Sequence, residues 1–99
     1  MIVTKEINDK AGLFKIEGRL DTSTVPELED MLKGIIDDLD SVTFDFEKLE
    51  YISSSGLRLL LSTNKQMSKK GGFKVKNVTG EVMEILDVTG FSSIITIEE

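Results

Sequence analysis

Ser53-Ser54-Ser55-Gly56 is the one stretch of this chain whose residue types and spacing stand out as capable of chemistry. It lies between Tyr51-Ile52 and an apolar-periodic run that opens at Leu57. A helix start needs a Ser, Thr, Asp or Asn side chain to accept from its first free N–H groups, and one serine meets that need. Three serines exceed it. The same N–H groups, with the positive end of the helix dipole, favour a phosphate or another anion. A hydroxyl held there could bind an anion or itself carry a phosphoryl group. On these residues alone, capping and an anion or phosphoryl role both stay open.

A second segment, Gly18-Arg19-Leu20-Asp21-Thr22-Ser23, falls between a strand candidate and the first helix. Its plainest role is structural, with Asp21, Thr22 and Ser23 ending the strand and preparing the cap. In a mixed α/β sheet, however, loops at the same end of the strands lie close together. If the Asp21 and Ser54 loops share that end, a carboxylate and a hydroxyl meet on one surface.

Enzymatic readings of the serines fail. The chain has neither histidine nor cysteine, so a Ser-His-Asp triad, imidazole acid–base catalysis and a thiol nucleophile are all excluded within it. The G-x-S-x-G elbow and the G-x-x-x-x-G-K-[ST] phosphate loop are absent around Ser53 to Arg58. Zinc would find only carboxylates. Asp37, Asp38 and Asp40 lack the alternating ligands and central glycine of a calcium loop, and read as solvated surface. No bound metal or other cofactor is expected.

These candidates need elements to position them, and the hydrophobic period switches repeatedly between 2 and 3.6 along the chain. Ile2–Ile7 and Leu13–Glu17 read as a strand pair, with Asn8-Asp9-Lys10 and Gly12 as the turn. Val25, Leu28, Met31, Leu32, Ile35, Ile36 and Leu39 form one helical stripe, which predicts a helix near 24–39. Thr24 and Glu27 fit a capping box, and Pro26 suits the first turn. The acidic run at the far end of that helix is uncomfortable, because the dipole there prefers cations. Val42, Phe44 and Phe46 alternate as a third strand, and Glu47–Ile52 reads as connection. A second helix near 55–70 carries Leu57, Leu60, Leu61 and Met67 inward, with Lys69, Lys70 and Gly71-Gly72 closing it. Phe73 and Val75 mark a fourth strand. Thr79 can cap a third helix near 80–88, in which Gly90 ends the helix and Phe91 can pack beneath it. Ile94–Ile97 is a last short strand or an extended tail. The fold class expected is therefore α/β, one domain over residues 1–99, with a mixed four- to five-stranded sheet and helices packed against it. Phe14, Ile16, Leu28, Ile35, Phe44, Phe46, Leu60, Leu61, Val75 and Leu86 are expected in the core.

Composition narrows the partners. With 99 residues, 18 acidic and 12 basic side chains and a net charge of -6, the chain is one modest domain. A pI near 4.7 argues against a phosphate-neutralising nucleic-acid surface. No apolar run approaches the roughly 18 residues of a membrane span, and no basic-then-apolar leader opens the sequence. The compartment expected is the cytoplasm.

Taken together, Gly18-Arg19-Leu20-Asp21, Tyr51-Ile52-Ser53-Ser54-Ser55-Gly56-Leu57 and Ile85-Leu86-Asp87-Val88-Thr89-Gly90-Phe91 resemble three landmarks of the STAS family, the sulphate-transporter and anti-sigma-factor-antagonist domains. The likeness runs over nearly the whole chain in the family's order. In the bacterial antagonists the middle motif reads Asp-Ser-Ser/Thr-Gly-Leu, and its first serine is phosphorylated by a partner kinase. Aligned on Gly56-Leu57, the resemblance implies Ser54 as acceptor and Ser55 as the next hydroxyl. It implies Asp21 as the early aspartate important for phosphorylation, with Thr22, Ser23, Ser53, Ser55, Gly56 and Arg58 completing the partner surface. Ser53 stands where the motif has aspartate, so one negative charge is missing from the loop. The function implied is that of an anti-sigma factor antagonist. Unphosphorylated, it would bind an anti-sigma factor that is also a serine kinase; phosphorylated at Ser54, it would let go, and a serine phosphatase would reset it. It would be a substrate in that cycle and not an enzyme, with ATP and magnesium belonging to the kinase. Two alternatives are a non-switching STAS scaffold and a nucleotide- or anion-binding STAS protein.

Overall fold

The alternation and turn chemistry at the N-terminus produce a hairpin in which Asp9 takes the left-handed φ of 56°. The computed structural model describes residues 1–98, beginning with β1 (Ile2–Asn8) and β2 (Ala11–Leu20), which pair antiparallel. There follow α1 (Val25–Lys33), β3 (Ser41–Asp45), β4 (Leu49–Ile52), α2 (Ser54–Met67), β5 (Phe73–Lys76), α3 (Gly80–Val88) and β6 (Thr96–Glu98). The mixed sheet runs β1-β2-β3-β5-β6, with β4 paired to β2 as a sixth strand. Every contact after the hairpin is parallel. Successive crossovers advance in one direction across the sheet, and right-handed connections therefore put the helices on one face.

The strand period sorts the side chains accordingly. Phe14, Phe44 and Val75 form one rung across β2, β3 and β5, and each is fully buried. Lys15, Asp45 and Lys76 form the next rung, on the face without helices. Phe44 is central, with Phe14 edge-on at 5.8 Å and Phe73 edge-on at 4.9 Å between ring centroids. Leu28 of α1, Leu60 of α2 and Leu86 of α3 close over this layer with no solvent exposure.

The structure departs from the sequence reading in several places. Six strands form among the described residues, because Leu49–Ile52, read as connection, pairs with the far end of β2. The first helix stops at Lys33, and Ile36–Asp38 form a separate 3-10 turn. The cation that this acidic end lacks in sequence arrives from elsewhere. Lys70 Nζ donates to the carbonyls of Asp37 at 2.6 Å and Leu39 at 2.9 Å. Lys70 thus serves the 3-10 turn, while α2 ends at Met67 and Gly72, at φ 96°, returns its N–H to the Met67 carbonyl. The Thr24–Glu27 capping box does not form, since Thr24 has helical backbone angles and its hydroxyl donates backward to the Arg19 carbonyl at 2.7 Å. Thr79 makes no side-chain cap either, and its hydroxyl reaches the Leu49 carbonyl at 3.4 Å. Ile35 and Leu61 are half-buried, because the break after Lys33 turns one away and Leu59 and Thr63 take the inner face of α2. The remaining expected core residues are buried.

Replacing Phe44 or Leu60 with Ala is expected to cost about 2–5 kcal/mol each, as large-to-small changes at filled sites do. Urea unfolding monitored by circular dichroism measures this; a loss under about 1 kcal/mol at either position would contradict the core described.

Candidate functional site

The site is set by how two parallel strands end. β2 is long enough to pair with β3 through its first half and with β4 through its last residues. The register shifts between Gly18 and Arg19, where Gly18 adopts φ 97° and donates its N–H to the Lys48 carbonyl at 3.0 Å. Few side chains tolerate that φ, which is why a glycine stands at the bend. Leu20 then pairs with Ile52, and the Ser53 N–H donates to the Leu20 carbonyl at 2.9 Å. Asp21 and Ser53 are the next residues of their strands, so both loops leave the sheet side by side at one end.

From that point each loop organises itself. Asp21 is the residue that shapes the entry to α1. Its Oδ1 accepts from the Ser23 hydroxyl at 2.8 Å, the Ser23 N–H at 3.0 Å and the Thr24 N–H at 3.2 Å. The Asp21 N–H donates to Thr24 Oγ1 at 2.9 Å, and the Asp21 carbonyl accepts from the Val25 N–H at 2.8 Å. The Ser23 hydroxyl bond, with the backbone N–H groups of Ser23 and Thr24 behind it, holds the Asp21 carboxyl below its ordinary pKa despite partial desolvation. Asp21 Oδ2 faces Arg19 Nε at 3.7 Å, and the Arg19 guanidinium lies 4.4 Å above the Tyr51 ring. The sequence reading gave Arg19 and Tyr51 no role of their own here, and gave Thr24 only a capping one. Arg19 carried a usable signal, since it and Arg58 are the only arginines in the chain.

The serine run divides its labour. Ser53, extended at φ -94° and ψ 176°, is the N-cap of α2 and accepts from the Gly56 N–H at 3.3 Å. Ser55 Oγ lies 3.0 Å from Thr22 Oγ1, which ties the two loops together, and it accepts from Arg58 Nη2 at 3.2 Å. Ser54 is the first residue of α2, exposed, and its hydroxyl has no hydrogen-bond partner among the described residues. Gly56 is buried where the helix meets the strand ends. A Cβ there would stand 2.6 Å from Ile52 Cγ1 and 3.0 Å from the Leu20 carbonyl oxygen, so only glycine allows this approach. Arg58 is exposed one turn on.

All eight residues singled out from sequence, Asp21, Thr22, Ser23, Ser53, Ser54, Ser55, Gly56 and Arg58, therefore sit on these two adjoining loops and the first turns of α1 and α2. The Asp87–Phe91 landmark plays a packing role: Gly90, at φ 82°, follows α3, and Phe91 packs against the core. Among the described residues no cluster of carboxylates could hold a metal ion, and no helix is long and apolar enough to cross a membrane.

The parallel β2–β4 ends, the capped serine run and the glycine-seated helix belong to an α/β domain with a mixed sheet, and the chain is a member of the STAS domain family, whose model matches residues 3–99. Among its relatives is the anti-sigma-B factor antagonist of Bacillus subtilis strain 168, 28% identical over 91 residues, which cover 91% of this chain and 84% of that protein. An anti-sigma factor antagonist from Mycobacterium paratuberculosis has the same fold, with a TM-score of 0.86 at 23% identity over 97% of this chain and 83% of that one. So has the Bacillus cell fate determinant SpoIIAA in its phosphorylated form, with a TM-score of 0.75 at 17% identity over 99% of this chain and 92% of that one.

Two outcomes test the geometry. Ser23→Ala should raise the Asp21 pKa toward the ordinary aspartate value, read by carbon-detected NMR titration. Because the folded-state pKa is depressed, the bonds to Asp21 favour folding above the unfolded-state pKa and lose that contribution as pH falls through the folded one. An unchanged Asp21 titration would break the assignment. Gly56→Ala should destabilise the fold by about 1–3 kcal/mol, the usual cost of overpacking, whereas a neutral result in thermal unfolding would deny the close approach.

Proposed function

We propose that this chain is an anti-sigma factor antagonist that works by partner switching, with Ser54 as its phosphoacceptor. The observation that carries the reading is the division among the three serines. Ser53 is engaged in capping and Ser55 in bridging to Thr22, while the Ser54 hydroxyl is exposed and unpartnered on the first turn of α2. A kinase needs an oxygen it can reach without dismantling the helix start, and Ser54 is that oxygen. In the transfer, Ser54 Oγ attacks the γ-phosphorus of the kinase's ATP. The new O–P bond forms as the bond to the β-phosphate oxygen breaks, ADP leaves, and the hydroxyl proton passes to a base on the kinase. The domain is then a substrate and not a catalyst, and a serine phosphatase reverses the step by hydrolysis. The anti-sigma-B factor antagonists among its relatives support an anti-sigma factor as the class of partner; that this factor is also a serine kinase is what we propose. The neighbouring fold solved in a phosphorylated form supports the idea that such a domain remains folded when modified. The setting we propose is the cytoplasm.

The physical effect of the phosphoryl group is local. It adds a charge of about -1.5 to -2 at pH 7. The N-terminus of α2 favours that anion by around 0.3–1 kcal/mol, which offsets part of the repulsion from Asp21. A docked partner must instead desolvate or be displaced by a bulky dianion, and each 1.4 kcal/mol of that penalty is about tenfold in affinity. One observation favours a second reading, a non-switching scaffold: Ser53 occupies the position where the family motif has aspartate.

A pull-down from native lysate, with mass spectrometry for the partner and for phosphate on Ser54, identifies the kinase. Calorimetry against that partner should find Ser54→Ala binding like wild type yet resisting phosphorylation, and Ser54→Asp binding at least tenfold more weakly. Equal affinity of Ser54→Asp and wild type would overturn the charge switch in favour of the scaffold.

A further inference from the structure

Building on Ser54 as the acceptor, we infer that Arg58 is the internal counter-ion of the phosphorylated state, folding back along α2 to pair with the phosphate. Three observations converge on it. Ser54 and Arg58 stand four positions apart in α2, the i, i+4 spacing at which helical side chains meet on one face. The Arg58 guanidinium already reaches back to the first turn, where Nη2 donates to Ser55 Oγ at 3.2 Å. Among the described residues it makes no salt bridge, so its charge is uncommitted, whereas Arg19 is engaged by Asp21 and by the Tyr51 ring.

The choice of residue adds to the geometry. Of 12 basic side chains in this acidic chain only two are arginines, and both border this one site. A guanidinium presents a planar fork that matches two phosphate oxygens, which the point charge of a lysine does not. With Ser53 in place of an aspartate, no carboxylate on the serine run competes for Arg58. On phosphorylation the guanidinium exchanges its one bond to a neutral hydroxyl for a charge-assisted pair, while Ser55 keeps its contact with Thr22. The modified loop is thereby held in one arrangement and the dianion is partly neutralised before any partner or phosphatase approaches.

The test uses full-length protein carrying phosphoserine installed at position 54 during translation, so it does not depend on the kinase. Phosphorus NMR titration reads the second ionisation of the phosphate, ordinarily near pH 6. The wild-type background should show a midpoint about half a pH unit lower than Arg58→Gln, the size expected of an exposed charge pair. Arg58→Lys should fall between them. Thermal unfolding of the unphosphorylated Arg58→Gln protein, expected to match wild type, separates this from a folding defect. Equal midpoints in the wild-type and Arg58→Gln backgrounds would overturn the inference. Absence of phosphate on Ser54 in protein isolated from its native cells would instead overturn the reading beneath it, while the titration still decides whether Arg58 pairs with a phosphate at that position.

Discussion

The parallel pairing of Leu20 with Ile52 is the constraint on which the rest of the site depends. It is a short contact, involving only the last residues of β2 and the four-residue β4. Yet it aligns the ends of two strands whose following loops are distant in sequence. Because parallel strands point the same way, both loops must exit at one end, and because the register is in step, they exit at the same height. The bend at Gly18 makes this possible by letting β2 leave β3 and accept β4 on the same edge. Gly56 then lets α2 sit directly on the strand ends, with its backbone against the Leu20 carbonyl. A side chain at Gly56 would push α2 off the strand ends, and one at Gly18 would strain the bend at its positive φ.

Charge is distributed with a comparable economy. The chain is net acidic, and the face of the sheet without helices is balanced by pairs such as Lys15 with Glu6 at 2.9 Å and Lys74 with Glu98 at 3.4 Å. At the loop end the balance differs. Asp21 spends its two oxygens on its own loop and on Arg19. Among the described residues this leaves the exposed start of α2 with a guanidinium that makes no salt bridge and the N–H dipoles of a helix start, in a protein of net negative charge. On the proposed function, that local positive potential would favour a phosphoryl group on Ser54.

Much of this was legible in the residues. The apolar alternation of Phe14-Ile16 and Phe44-Phe46 reported strand faces, and the stripe from Val25 to Leu32 reported a helix, because burial on one side imposes those periods. The serine run and Gly18–Ser23 were visible as candidates for the same reason that capping needs particular side chains. What stayed hidden was carried by contacts between distant segments. β4 has only four residues, with Glu50 exposed and Tyr51 half-buried between buried Leu49 and Ile52, and its identity as a strand comes from β2 and not from its own pattern. Thr24 looked like a cap by spacing, but Asp21, three residues earlier, captures the Thr24 N–H and pulls Thr24 into the turn. The acidic end after α1 looked unfavourable because its cation, Lys70, is supplied from beyond the end of α2. Local rules named the right kinds of residue, and the long-range contacts decided which of them did each job.

If Ser54 is modified as proposed, the separation between core and surface is what would leave the fold intact. Everything that seats α2 lies behind Ser54. Leu57, Leu60 and Met67 are buried, Gly56 abuts the strand ends, and Ser53 caps through its own hydroxyl. None of these contacts passes through the Ser54 side chain. Ser55 and Thr22 join the loops through hydroxyls that can reorient. A charge placed on Ser54 therefore changes the outer surface shared by the first turns of α1 and α2, where a partner would read it, and leaves the layer beneath it with the same packing. Modifying Ser53 would instead place the new group on the oxygen that accepts from the Gly56 N–H, so the cap itself would have to rearrange. Ser54 is the one serine of the run whose hydroxyl neither caps the helix nor joins the loops among the described residues.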